Sequence, residues 1–292
     1  MEVNMNIFSG LEGLGFDGLE GFDIFDEELE EKKKKEQEQH KIQKPKIKEE
    51  DVVFDKTMTC PVCDKNFTTK AVKTGKAKLE GTDTDLRPRY ELVDSLKYDA
   101  VVCPYCGYAN FSRGFQNILN AQAKLVREQI TSNFKGICHD GAIYSYDESI
   151  ERHKMVLLNC VVKKGKTSER AYACLKLAWI LRGKAESLTE DTPENKKAKA
   201  ALKKEELDLL GKAYYGFVAA FPKESFPMCG MDDLTVTYLA ADLGRQIGKY
   251  NEANALLSRV ITSRTANERI KDKARTIRDM IKEEKKKQDS QV

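Results

Sequence analysis

The chain has 292 residues, 40% hydrophobic and 33% charged, with a formal net charge of +3. It holds no run of about 18 apolar residues, which excludes a transmembrane helix, and Met1–Glu31 carries no Lys or Arg. A cytosolic protein without a basic-started secretory leader is therefore expected. The charge is uneven: residues 1–50 hold 8 basic and 14 acidic side chains, and the rest hold 42 and 33.

The first segment alternates glycine and acids with Leu and Phe, as in Gly13-Leu14-Gly15-Phe16-Asp17-Gly18-Leu19-Glu20. Frequent glycine disfavours helix, and acidic-hydrophobic alternation is typical of disordered interaction segments. Residues 1–31 read either as a partner-docking tail that orders on binding or as a solvated extension. A Glu/Lys/Gln linker follows over 30–48, so 1–50 is expected to be a disordered head and linker.

Near Asp51 the folded part begins. Cys60-Pro61-Val62-Cys63 and Cys103-Pro104-Tyr105-Cys106-Gly107 are two C-x-x-C knuckles. A C-x-x-C loop turns two sulfurs toward one ion, and the second loop completes a tetrahedron. Cys60, Cys63, Cys103 and Cys106 are thus candidate ligands of one structural zinc, with iron as the less favoured occupant. The knuckle region, residues 51–110, has nine basic and nine acidic residues, so it is not a basic patch.

Between the knuckles lie 39 residues, with strand-like alternation over Thr82–Tyr90 and Tyr98–Val102. If residues 83–89 are extended, Asp83, Asp85, Arg87 and Arg89 share one face. Such a row is either a charge ladder holding a small sheet or a polar site for an anionic ligand. The acids within the row favour the ladder. The remaining cysteines, Cys138, Cys160, Cys174 and Cys229, read as small buried hydrophobes, Cys229 least so because it sits in the loop Phe226–Gly230.

From Phe111 onward the pattern is helical. Phe115, Ile118, Leu119, Leu125, Val126, Ile130 and Phe134 predict one helical face. A second helix is expected over 146–162 with Ile150, Leu157, Leu158 and Val161 inward. Ser168 is placed to cap a third over 169–187, and Thr192-Pro193 opens a fourth ending at Phe221-Pro222. Asp232 or Asp233 starts a fifth, Tyr250 a sixth, and Thr265-Ala266-Asn267-Glu268 reads as a capping box for a last helix striped by Ile270, Ala274, Ile277 and Ile281. About seven helices in antiparallel pairs result. Gly248–Leu257 is similar to the middle of a tetratricopeptide repeat, with Ala253 and Leu257 in its A-x-x-x-F spacing and Ala213 with Phe217 as a weaker echo. The intervals of 64 residues from Ser149 to Ala213 and 40 to Ala253 predict repeat-like hairpins, not a regular array.

The residues Asp83-Thr84-Asp85-Leu86-Arg87-Pro88-Arg89-Tyr90, Leu96-Lys97-Tyr98-Asp99 and Cys103-Pro104-Tyr105-Cys106-Gly107-Tyr108-Ala109 resemble the bacterial family catalogued as domain of unknown function 2225. The resemblance spans about 52–280 and implies a zinc-ribbon-like head with a tetratricopeptide-like tail. It implies no activity. Asp64 departs from the pattern, following the first knuckle where a ribbon often has glycine.

The fold class expected is α+β, mostly α: a zinc-ribbon-like β module over 51–110, helical hairpins over 111–287 and a short tail, 288–292. Four cysteines fill a zinc ion's coordination, so a non-catalytic protein is expected, with the helices as a scaffold for a protein or peptide partner and no membrane contact. Two alternatives stand beside it, a nucleic-acid-binding zinc ribbon and a rubredoxin-like iron electron carrier. The last helix, from Arg269 to Lys287, is the best basic surface for nucleic acid, but five acids between Glu268 and Glu284 dilute it. Cys138-His139-Asp140 places nucleophile and base types side by side, an arrangement that rarely brings them together productively.

Overall fold

Each cysteine knuckle is the loop of its own β-hairpin. Strand β1 (Val53–Thr59) pairs antiparallel with β2 (Asn66–Val72), closing at Thr59 opposite Asn66. Strand β5 (Ala100–Val102) pairs with β6 (Ala109–Phe111), closing at Val102 opposite Ala109. Between them in sequence lies a third hairpin, β3 (Leu79–Thr82) with β4 (Pro88–Tyr90). The computed structural model describes residues 47–290, of which Asp289 is described in its backbone only; the acidic head over 1–31 and the linker up to 46 lie outside the described residues.

Seven helices follow among the described residues: α1 (Asn120–Val126), α2 (Tyr146–Val162), α3 (Thr167–Ser187), α4 (Pro193–Ala220), α5 (Asp233–Gln246), α6 (Tyr250–Thr262) and α7 (Glu268–Asp289). The α+β class, mostly α, is therefore the observed one. No described helix is long and apolar enough to cross a membrane. From Lys48 onward the chain forms one compact unit.

Local chemistry explains most helix ends. Thr192 caps α4 by accepting from the Asn195 amide, with Pro193 at the first helical position. Asp232 caps α5 through the Thr235 amide. The last helix begins as expected, but Asn267 provides its cap, accepting from Ile270, rather than Thr265. Ser168 does not cap α3: that helix starts at Thr167 after Lys166, and the Ser168 hydroxyl is spent on Glu224 instead.

Three expected faces are corrected. Residues 111–119 are not helical but a 3₁₀ turn (Ser112–Gly114) and a loop, because Phe115 is drawn into the core beneath the knuckles while Leu119 stays 69% exposed. The end of α1 widens into a π turn over Arg127–Thr131. On α2 the buried side is Ile150, His153, Val156, Asn159 and Cys160, and Leu158 and Val161 face outward. The third correction concerns strands: Thr82–Tyr90 is a hairpin with a turn at 83–87, where Leu86 has φ 67°, and Ala100–Val102 is buried on both sides instead of alternating.

The core has two principal centres. One packs α3 against α4 and α5, with Leu175, Ile180, Leu210, Phe217 and Leu239 fully enclosed. The other gathers the cysteine ligand candidates with Phe67, Tyr108, Phe115, Val126 and Ile130. The Ala213/Phe217 and Ala253/Leu257 pairs are fully buried. Helices α5 and α6, with 14 and 13 residues, suit a repeat of about 34 residues, whereas α3 and α4, with 21 and 28, exceed it.

Candidate metal centre

The two knuckles repeat one backbone motif. Asp64 N–H donates to the Cys60 carbonyl (2.9 Å) and Gly107 N–H to that of Cys103 (3.0 Å). Cys60 N–H in turn donates to Lys65 O, and Cys103 N–H to Tyr108 O. Both loops close through a left-handed residue, Asp64 at φ 58° and Gly107 at φ 72°. Aspartate tolerates this region better than most side chains, so the departure from glycine leaves the turn intact. Gly107 has no such latitude. A Cβ there would lie 2.7 Å from the Phe134 ring.

The four sulfurs converge. All lie within 4.8 Å of one another, with Cys60 Sγ 3.6 Å from Cys106 Sγ and Cys63 Sγ 3.7 Å from Cys103 Sγ. A tetrahedral ion with metal–sulfur bonds of about 2.3 Å has a sulfur–sulfur edge of about 3.8 Å. The donor set and spacing therefore fit one four-coordinate metal ion. Cys60, Cys103 and Cys106 are buried, and Cys63 is the partly exposed ligand. Taken as thiols, the three buried members share protons unequally. Bonds from Cys106 and Cys60 pull the Cys103 thiol down to about 2, whereas its bond to Cys103 leads the push of Cys60 up to about 12. A divalent cation is what allows all four to ionise together.

Helices hold this centre through its backbone. Arg127 Nε–H donates to Val62 O (3.0 Å), Thr131 Oγ1 to Cys106 O (2.9 Å), and Asn159 Nδ2 to Gly107 O (3.0 Å). These residues were not singled out from the sequence. Asn159 carried a signal, a lone amide inside Leu157-Leu158-Asn159-Cys160-Val161.

Asp83, Asp85, Arg87 and Arg89 do meet, but around the β3–β4 turn and not along a strand. Their partners come from the helices. Arg182 on α3 donates to Asp83 (3.0 Å) and to both oxygens of Asp85 (3.1 and 2.6 Å), and its Nε–H reaches Glu206 on α4 (2.7 Å). Trp179 Nε1–H donates to Asp85 at 3.1 Å. Arg87 and Arg89 both pair with Glu186. Burial alone would raise the Asp85 pKa, but the Arg182 guanidinium and the indole N–H more than offset it and hold it below the usual carboxylate range. Gly183 allows Arg87 in: a Cβ there would sit 3.0 Å from its guanidinium. At the turn itself, Tyr238 donates to Thr84 O (2.7 Å), and Lys273 of α7 reaches Thr82 Oγ1 (3.0 Å). The row thus fastens the hairpin to α3, whose Arg182 also reaches α4, while Thr84 and Thr82 tie the hairpin to α5 and α7.

Of the other cysteines, Cys160 and Cys174 are buried as expected, Cys229 is intermediate, and Cys138 is exposed because its loop, 136–141, carries few apolar contacts. On α7, Lys271, Arg275 and Lys282 lie in ion pairs with Glu268, Asp272 and Asp279.

The family described as "Uncharacterized protein conserved in bacteria (DUF2225)" matches residues 53–281. No curated protein and no solved structure matches the chain.

Proposed function

The chain belongs to this bacterial family, and from that premise we propose that it is a non-catalytic cytoplasmic zinc protein whose metal centre rigidifies a module serving, with the helices, as a scaffold for a protein partner. The observation that carries the reading is the closed donor set: four thiolates, three of them buried, fill the positions a catalytic zinc would keep open. Knuckles sealed under Phe67, Tyr108 and Phe115 suit a clamp better than an exposed electron carrier. Reduced thiols in this number suit a reducing compartment.

In this reading the partner surface lies away from where stacked hairpins usually offer one. The turn 83–87 already occupies side chains of α3, α5 and α7. On α4, by contrast, Leu207, Tyr215 and Val218 share one outward face, with Tyr215 56% exposed. Lys271, Arg275 and Lys282 of α7 are engaged by local acids, which weakens that helix as a nucleic-acid surface.

Elemental analysis of protein purified without added metal tests the first half, with about one zinc per chain expected. A red protein with visible absorbance would assign iron. For the second half, crosslinking in the native host is expected to capture one defined protein with the unaltered chain and not with Tyr215→Lys. Equal capture by both would remove α4 from the interface.

A further inference from the structure

A cleft of about 410 Å³ opens beside the second knuckle, lined among others by Thr69, Lys70, Pro104, His139, Tyr144 and Arg152. Arg152, on α2, is only 5% exposed, yet its Nε has no partner and its guanidinium pairs with none of the described carboxylates. It lies over the Tyr144 ring at 4.0 Å. A cation–π contact offsets only part of what desolvating a guanidinium costs. The nearby acids are engaged or solvated. Glu148, one turn earlier, accepts from His139 Nδ1–H and from the Ser145 amide and hydroxyl (2.8 and 2.9 Å). Asp55 pairs with Lys70 at the rim, and Asp140 is exposed.

His139 approaches the same tyrosine edge-on, with ring centroids 4.6 Å apart. With Nδ1 on the Glu148 carboxylate, the neutral ring has its lone pair at Nε2, and that atom too is buried without a partner. Two segments therefore bring two unsatisfied polar groups to one cleft, a cation and a hydrogen-bond acceptor. An oxyanion that keeps an O–H answers both. Sulfate and carboxylates have none at neutral pH, whereas inorganic phosphate keeps one and a monoester, with a second pKa of about 6, keeps one in its singly charged form.

We propose that this cleft binds the hydrogen-bearing form of a phosphate, free or as a small monoester, with Arg152 accepting its charge and His139 Nε2 accepting its proton-bearing oxygen's hydrogen bond. Lys70, held by Asp55, and the exposed Thr68 line the same cleft.

Calorimetry on the full-length, metal-containing protein at pH 7, titrating inorganic phosphate, glycerol phosphate, sulfate and acetate, tests this. Phosphate or the monoester is expected to bind and to raise the melting temperature, with sulfate and acetate weaker by about tenfold or more. Whichever phosphate binds tighter identifies the source. Arg152→Met is expected to lose roughly 10- to 100-fold in phosphate affinity, the effect of removing a charged hydrogen-bond partner. His139→Ala is expected to lower phosphate affinity to that of sulfate while leaving sulfate unchanged, and it decides the matter if Arg152→Met does not fold. Absence of binding at millimolar phosphate, equal affinity for phosphate and sulfate, or unchanged affinity in the two variants would overturn the proposal.

Discussion

Two of the fastenings between the β module and the helices work by opposite means. At the knuckles, four thiols converge in a set that fits one cation from outside the chain. At the β3–β4 turn, acids also gather, but Arg182, Arg87 and Arg89 supply the countercharge from within. The first arrangement is compact in sequence, because a metal ion can be reached by two short loops. The second needs Arg182 and Glu186 from α3, 97 residues beyond their partners in the hairpin. A metal at the knuckles would replace such distant residues where a small module cannot recruit them.

Removing the metal or changing Cys103→Ser is the strongest way to separate the two fastenings. The loss expected is on the order of 10 kcal/mol of local folding free energy. The bonds from Arg127, Thr131 and Asn159 should carry the damage into α1 and the end of α2. Hydrogen exchange after chelation is expected to show β1, β2, β5, β6 and α1 losing protection together while α5–α7 retain theirs. Unchanged protection of α1 would show the metal end to be self-contained.

At the other end, Asp85→Asn leaves Arg182 buried with a weaker partner, and breaking a buried pair costs about 3–5 kcal/mol. Urea unfolding measures it, and metal content should stay unchanged. The same carboxylate sets a pH dependence. Its folded pKa is depressed, so its contribution is complete above the unfolded value of about 3.9 and is lost as pH falls through the lower folded value. Melting curves below about pH 4 should therefore converge for the unaltered protein and Asp85→Asn.

The knuckles allow a finer contrast. Gly107→Ala forces a Cβ against Phe134 in a left-handed conformation and is expected to cost about 2–4 kcal/mol. Asp64→Gly, at the matching position with an exposed side chain, should stay within about 1 kcal/mol. Equal effects would mean that the two turns are embedded alike.

The smallest change is expected at Asp242. Burial raises its pKa despite Arg245, so the group favours the folded state at low pH and loses that contribution as pH rises through the folded value. Asp242→Asn should therefore fall within about 1 kcal/mol of the unaltered protein at pH 7, because Arg245 keeps Glu284 at 2.6 Å. A large loss there would put Asp242 in the same class as Asp85.

The sequence made the metal ligands legible because C-x-x-C spacing encodes its geometry within four residues. Helix starts at Pro193, Asp233 and Tyr250 were legible for the same reason: cap and turn chemistry acts over one turn. What failed depended on packing. Leu158 and Val161 are apolar at plausible helical spacing, yet the amide of Asn159 was needed at Gly107 O and rotated the face inward around it. Residues 111–119 carry apolar side chains at helical intervals, but Phe115 fills the space under Tyr108 at 5.0 Å and breaks the helix before it starts. The row 83–89 had the right residues and the wrong backbone. Its helical partners, Arg182, Glu186 and Glu206, look from sequence like ordinary surface charges.

The seating of the turn at 83–87 also orders events during synthesis. Cys60 and Cys103 emerge within one short stretch, whereas Lys273, which meets Thr82, follows 191 residues later. Contacts of such separation form slowly because the intervening chain must be closed first. A nascent chain would thus present its thiols to metal well before the helices that clasp the hairpin exist, and metal supply, not helix assembly, would decide whether the first half waits in a folded form.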